Sequence, residues 1–218
     1  MTKILLIYTG GTIGMIKNPQ TGELESFNFK HIHDHVPELS RLNVEIESIS
    51  FEEPIDSSEM NLNHWTMMAE LIEENVAHYD GFVILHGSDT MAFSASALSF
   101  MLQGLRKPVV FTGSQLPIGT IRTDGKENLI TSIEIATATD KGQPIIQEVC
   151  VLFQSKLFRG NRTHKYSTEN FDAFESANLA PLAEIGIHIH YRRDLLLRPK
   201  GPLTVRKGFD DRVGILKI

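Results

Sequence analysis

The sequence predicts an α/β fold, in which a mostly parallel sheet flanked by helices occupies residues 1–190. A linker over 191–210 then leads to the start of a truncated second α/β domain at 211–218. Three observations carry this. Short β-rich apolar runs alternate with longer segments of helical period. The loops after those runs combine glycine with hydroxyl and acidic side chains, as at the ligand-binding ends of parallel strands. Finally, residues 1–190 are predominantly acidic, whereas 191–210 carries Arg192, Arg193, Arg198, Lys200, Arg206 and Lys207 against only Asp194 and Asp210.

The expected strands are Ile4–Tyr8, Val44–Ile49, Gly81–Leu85, Pro108–Thr112, Val149–Phe153 and Ile185–His190. Three helices are expected between them. The first carries Trp65, Met68, Ala69, Ile72 and Val76 on one face. The second runs from about Thr90 to Leu105, where Ser94, Ala95, Ser96 and Ala97 permit close contact with a sheet. The third follows Asp124 through Leu129, Ile133 and Ala136, with Asp124 and Glu127 in capping-box spacing. Pro199, Gly201, Pro202 and Gly208 interrupt regular structure in the linker. Val213–Ile218 then reads as the first strand of a largely absent C-terminal domain.

With 218 residues, 41% of them hydrophobic, and 21 Lys plus Arg against 27 Asp plus Glu, the composition is globular and excludes disorder, collagen and coiled coil. The apolar runs fall short of the roughly 20 residues of a membrane span, and a cytoplasmic protein is expected. Cys150, the single cysteine, sits in the apolar run Val149–Phe153 and reads as core filling. The basic linker has little aromatic interleaving and lies beside an acidic domain it can pack against, so no nucleic-acid partner and no membrane partner are expected. His31, His33 and His35 recur every second residue, as do His188 and His190, but no further ligands complete a zinc set, and no metal is expected.

Four loops concentrate chemistry. Thr9–Gly14, T-G-G-T-I-G, lets a ligand approach Thr12 closely. It does not match the G-x-G-x-x-G dinucleotide pattern, and no acidic residue ends the second strand to bind a ribose. His86–Thr90 places Ser88, Asp89 and Thr90 where a helix must start. One of the three serves as N-cap, which leaves a hydroxyl and a carboxylate to face a ligand. His86 beside them reads as a packing and hydrogen-bonding residue. Asp56, Ser57 and Ser58 form a third polar group, and Thr112–Gln115 a fourth that reads equally as a simple turn.

T-G-G-T-I-G, D-S-S-E-M, H-G-S-D-T-M, T-G-S-Q and R-G-N-R-T-H-K, in this order, resemble the bacterial L-asparaginases, in particular their cytoplasmic type I branch. The resemblance spans residues 3–190 and continues through the linker. It implies hydrolysis of the side-chain amide of L-asparagine to L-aspartate and ammonia, with water as co-substrate and no cofactor. The implied architecture is a larger N-terminal and a smaller C-terminal α/β domain, in a homodimer or dimer of dimers. Thr12 matches the first catalytic threonine, the nucleophile that forms an acyl-enzyme. Ser88 takes the second hydroxyl position, usually threonine, and Lys165 the lysine position. With Asp89 these would handle protons, provided the neutral amine of Lys165 is accessible. Asp89 also faces the α-ammonium of the substrate. Ser57 and Ser58 bind its carboxylate end, Asp56 beside them belongs to the substrate-binding set, and Ser114 lines the amide end through its main chain.

Two departures stand out. Relatives close the site with a tyrosine on the loop after T-G-G-T-I-G, but Lys17–Phe29 holds none, and Leu24, Phe27 or Phe29 would have to cover the site by bulk. The family's C-terminal domain, which completes a neighbour's site and in type I enzymes holds an effector site, is largely missing. A catalytically silent fragment that folds or binds asparagine without turnover is therefore the alternative. A tRNA-dependent amidotransferase subunit is a third reading, disfavoured by the acidic first domain.

Overall fold

The computed structural model describes residues 1–17, 24–26, 32, 36–214 and 216. The segment Lys17–Phe29 lies mostly outside the described residues, and His31, His33 and His35 lie wholly outside them. An eight-stranded sheet is built from β1 (Thr2–Tyr8), β2 (Val44–Ser50), β3 (Gly81–Leu85), β4 (Val109–Thr112), β5 (Val149–Phe153), β6 (Lys156–Arg159), β7 (Ala183–Ile185) and β8 (Ile189–Tyr191). Their spatial order is β8-β7-β6-β5-β4-β3-β1-β2. The first five strands in sequence are mutually parallel, and the remaining pairings are antiparallel.

Burial on both faces explains the continuous apolar strands. In β1, Ile4, Leu6 and Tyr8 point to one core, packed by Leu129 and Ile133 of helix α3 (Gly125–Thr137). Leu5 and Ile7 point to the other, packed by Met68 and Ile72 of α1 (Leu62–Asn75) and Leu98 of α2 (Met91–Met101). Cys150 is buried in the first core as expected, and burial pushes its thiol up.

Three expectations are corrected, one strand is gained, and the linker packs against the domain as its charge allows. Ile185–His190 is not one strand. Gly186 turns the chain, Ile185 pairs with Ile189, and a hairpin results. The sheet gains β6 because the two residues Gln154 and Ser155 connect it to β5, and so short a link permits only an antiparallel return. The α2 helix stops at Met101, well before Leu105. Leu102–Gln103 is extended, and Gly104, at φ +75°, lies against the backbone of Pro202. The linker is accordingly no free spacer: Thr204–Val205 pairs antiparallel with Leu102–Gln103. Beyond that pair, Lys207 Nζ bridges Glu70 (3.4 Å) and Glu73 (2.7 Å) on α1, and Phe209 stacks 5.6 Å from Trp65. Finally, the Asp124–Glu127 capping box does not form, because the Asp124 carboxylate is drawn to the loop after β4.

In the expected second-domain strand, Val213, Gly214 and Leu216 carry no strand pairing and are exposed, while residues 215, 217 and 218 lie outside the described residues. Among the described residues no helix is long and apolar enough to cross a membrane, and no group of three or more His, Cys, Asp or Glu side chains is placed to hold a metal ion.

Candidate active site

The sheet order reverses at β1, with β2 on one side and β3 on the other, and this is the switch point where open α/β sheets bind ligands. The loops leaving β1, β2 and β3 converge there. Their approach is so close that side chains are excluded. Gly11, at φ +87°, would set a Cβ 2.4 Å from Gly87 Cα, and Gly10, at φ +135°, would set one against Ile55 O. Only glycine satisfies both the left-handed backbone and the contact.

A cavity of about 310 Å³ opens at this junction, lined by Gly11, Thr12, Met15, Pro54, Ile55, Asp56, Ser57, Gly87, Ser88 and Asp89. Thus Thr12 of the first loop, Asp56 and Ser57 of the second, and Ser88 and Asp89 of the third share one wall system. Lys165 arrives from a segment 77 residues beyond Ser88. It sits on the short strand His164–Lys165, paired with Phe174–Glu175, and buried Phe174 anchors that pair 4.8 Å from Phe153. Its Nζ lies 2.8 Å from Ser88 Oγ and 2.7 Å from Asp89 Oδ1. The lysine side chain is only 11% exposed and Asp89 62%, so the pair straddles the cavity mouth.

None of Ser88, Asp89 and Thr90 caps α2. Thr90 occupies the cap position but donates its hydroxyl to Ser57 O at 2.6 Å. Ser88 and Asp89 turn to Lys165. A side-chain cap is worth about 1 kcal/mol, and the helix forgoes it. Asp56, by contrast, caps its own 3-10 turn, Ser57–Glu59. Its Oδ1 accepts from both Ser58 N and Ser58 Oγ at 2.9 Å, which holds the carboxyl below the usual range. The Ser58 hydroxyl is thereby committed to Asp56, and Ser58 does not line the cavity. Ser57 is buried beneath Gly87. Ser114 is buried too. Its hydroxyl donates to Leu116 O, and it does not line the cavity.

Sequence reasoning missed two residues. Asp124 was expected only as a helix cap, yet its carboxylate accepts from Gln115 N (2.9 Å to the nearer oxygen) and Leu116 N (3.1 Å), fixing the loop after β4. Gln115 was placed in a loop that reads equally as a site or a turn, with no role of its own. Its side chain reaches Ser88, Thr168 and Asn170, all remote in sequence. The T-G-S-Q motif was the available signal, but spacing alone says nothing about those contacts.

Comparison with known proteins shows the family. Residues 3–197 match the family model "Asparaginase, N-terminal". The chain belongs to the asparaginase family. This asparaginase domain is 43% identical to L-asparaginase 1 of Escherichia coli (strain K12) over 212 residues, covering 93% of this chain and 61% of that protein. It is 40% identical over 239 residues to the 60 kDa lysophospholipase of Mus musculus, covering 99% of this chain and 42% of that protein. The solved structure of L-asparaginase I from Vibrio cholerae superposes with a TM-score of 0.82 at 39% identity, over 94% of this chain and 61% of that one. The chain therefore spans roughly half the length of the curated relatives it matches.

Proposed function

We propose that the protein is an L-asparagine amidohydrolase that works through a threonine acyl-enzyme in the cytoplasm. The observation that carries the reading is the placement of Lys165 Nζ between Ser88 Oγ and Asp89 Oδ1, at the mouth of a cavity that Thr12 also lines. An amide is a weak electrophile, so its hydrolysis needs an activated hydroxyl and a route for that hydroxyl's proton. Thr12 attacks the side-chain carbonyl, and its proton passes through Ser88 to the amine of Lys165. The same proton then serves the leaving ammonia, and water cleaves the acyl-enzyme.

Substrate recognition follows from charge. Lys165 occupies Asp89 Oδ1, and the second oxygen faces the α-ammonium. Ser57 borders the carboxylate end, and Asp56 beside it fixes the Ser57–Glu59 turn by accepting from Ser58. Five of the ten lining residues, Thr12, Asp56, Ser57, Ser88 and Asp89, carry a hydroxyl or a carboxylate beside Met15, Pro54 and Ile55, and that polar set supports a small zwitterion as the ligand.

Ammonia release from asparagine, measured with Thr12→Ala and Lys165→Met beside the parent chain, tests the reading. Thr12→Ala should abolish acyl-enzyme formation, and Lys165→Met should lower kcat by about 100-fold or more with little change in KM. Near-parental turnover in either variant rejects the role assigned to it. A second reading is binding without turnover. Calorimetric binding of asparagine with no ammonia released from the parent chain would establish it. A homodimer or dimer of dimers is part of the same proposal and is tested by sedimentation.

A further inference from the structure

The geometry points to Gln115 as a positioning residue that sets the direction of the Ser88 hydroxyl, an assignment that rests on the amidohydrolase reading above. The Gln115 amide nitrogen donates to Thr168 O at 3.2 Å and Asn170 O at 3.0 Å. Carbonyl oxygens only accept, so both amide protons are committed and the amide has one orientation. Its Oε1 must then face Ser88, whose Oγ lies 3.4 Å away. The base of the side chain is held as well, because Asp124 accepts from the Gln115 and Leu116 backbone N–H groups.

An ammonium has donors and no acceptor. With Lys165 Nζ at 2.8 Å, Ser88 Oγ accepts from the lysine and sends its own proton toward Gln115 Oε1. The hydrogen bonds therefore run in one direction, from Lys165 to Ser88 to Gln115. This is the arrangement the site needs once the proton has moved. When Ser88 hands its proton to the neutral amine and takes the one from Thr12, Lys165 becomes an ammonium. It then needs a lone pair opposite it, and Gln115 provides one by drawing the new Ser88 proton aside. The contact is longer than an ordinary O–H···O bond of about 2.7–2.8 Å, so the hydroxyl is oriented without being locked and can still turn toward the amine. Gln115 thereby stabilises the charged side of the first proton transfer while standing apart from the cavity lining.

A double-mutant cycle tests this. Gln115→Met keeps the length of the side chain and removes its acceptor together with its two N–H donors, whose exposed carbonyl partners on Thr168 and Asn170 turn to water. We expect kcat for ammonia release to fall about 3- to 10-fold, the effect of one ordinary hydrogen bond, with KM and melting temperature close to the parent. On a Ser88→Ala background, followed by single turnover at high enzyme concentration, the same substitution should cause no further fall. An equal fall on both backgrounds, or a change confined to KM, overturns the assignment, because a loop anchor acts whether or not the Ser88 hydroxyl is present. A parent chain that turns over asparagine with an additive cycle refutes Gln115 alone. A parent chain that releases no ammonia refutes the amidohydrolase reading and this assignment with it.

Discussion

His86 offers the most direct physical test of the fold around the site. It follows β3, is fully buried, and packs edge-on against Phe111 at 5.7 Å. Its Nδ1 lies 2.7 Å from Gly87 O, and a carbonyl only accepts, so Nδ1 carries the proton. Among the described residues Nε2 has no partner. Burial lowers its pKa from 6.5 to about 4, opposed in part by the Gly87 carbonyl. A histidine whose folded value is depressed gives the fold its full stability above about pH 6.5. As pH falls below that value the unfolded chain takes up a proton first, and stability is lost down to about pH 4. The gap between the two values corresponds to about 3 kcal/mol. Urea unfolding of the parent and of His86→Asn, which retains an N–H near Nδ1, should be measured from pH 7.5 to 4.5. Carboxylates titrate alike in both proteins, so their contribution cancels in the difference. The parent should lose about 2–3 kcal/mol more than the variant across this range. Stability curves that stay parallel over the whole range would refute a buried neutral imidazole.

Two further substitutions probe the loop junction and the docked linker. Gly11→Ala should cost about 2 kcal/mol or more and abolish turnover, since it combines a left-handed backbone with a Cβ 2.4 Å from Gly87 Cα; calorimetric melting with an ammonia assay checks it. Glu148→Gln removes the charge opposite Arg159, whose Nε lies 2.6 Å from the carboxylate, and weakens the acceptor of Leu197 N; at 4% exposure for Glu148 this should cost about 3–5 kcal/mol in chemical denaturation and expose residues 195–205 to protease.

Strand existence was legible wherever an apolar run was buried on both faces. Gly81–Leu85 and Val149–Phe153 begin and end where the composition changes. Lys156–Arg159 was not legible, because a charged residue at each end hides a four-residue strand whose middle alone is buried. Helix ends were read less well than helix faces. The start of α1 moves forward to Leu62 because Asn61 and His64 cap each other's backbone, and the end of α2 moves back because Gly104 meets the linker. Thr12, Ser88 and Asp89 stood out by the chemistry of their loops, whereas their individual roles, and Lys165 altogether, came through motif resemblance. Gln115 and the commitment of Ser58 to Asp56 escaped, since a polar side chain's partner is a matter of position in space.

The order of residues along the chain was enough to determine a parallel sheet with helices on both sides, glycine-rich loops at its ligand-binding end, and the residue types for amide hydrolysis. Periodicity and local backbone preference act over a few neighbours, so they can be read one segment at a time. Which loops meet, which side chains come within reach of Ser88, and how the basic segment lies along α1 were decided only by the tertiary structure. Those contacts join residues from 27 to 77 positions apart in the site itself, and packing of the whole sheet brings them within hydrogen-bonding range.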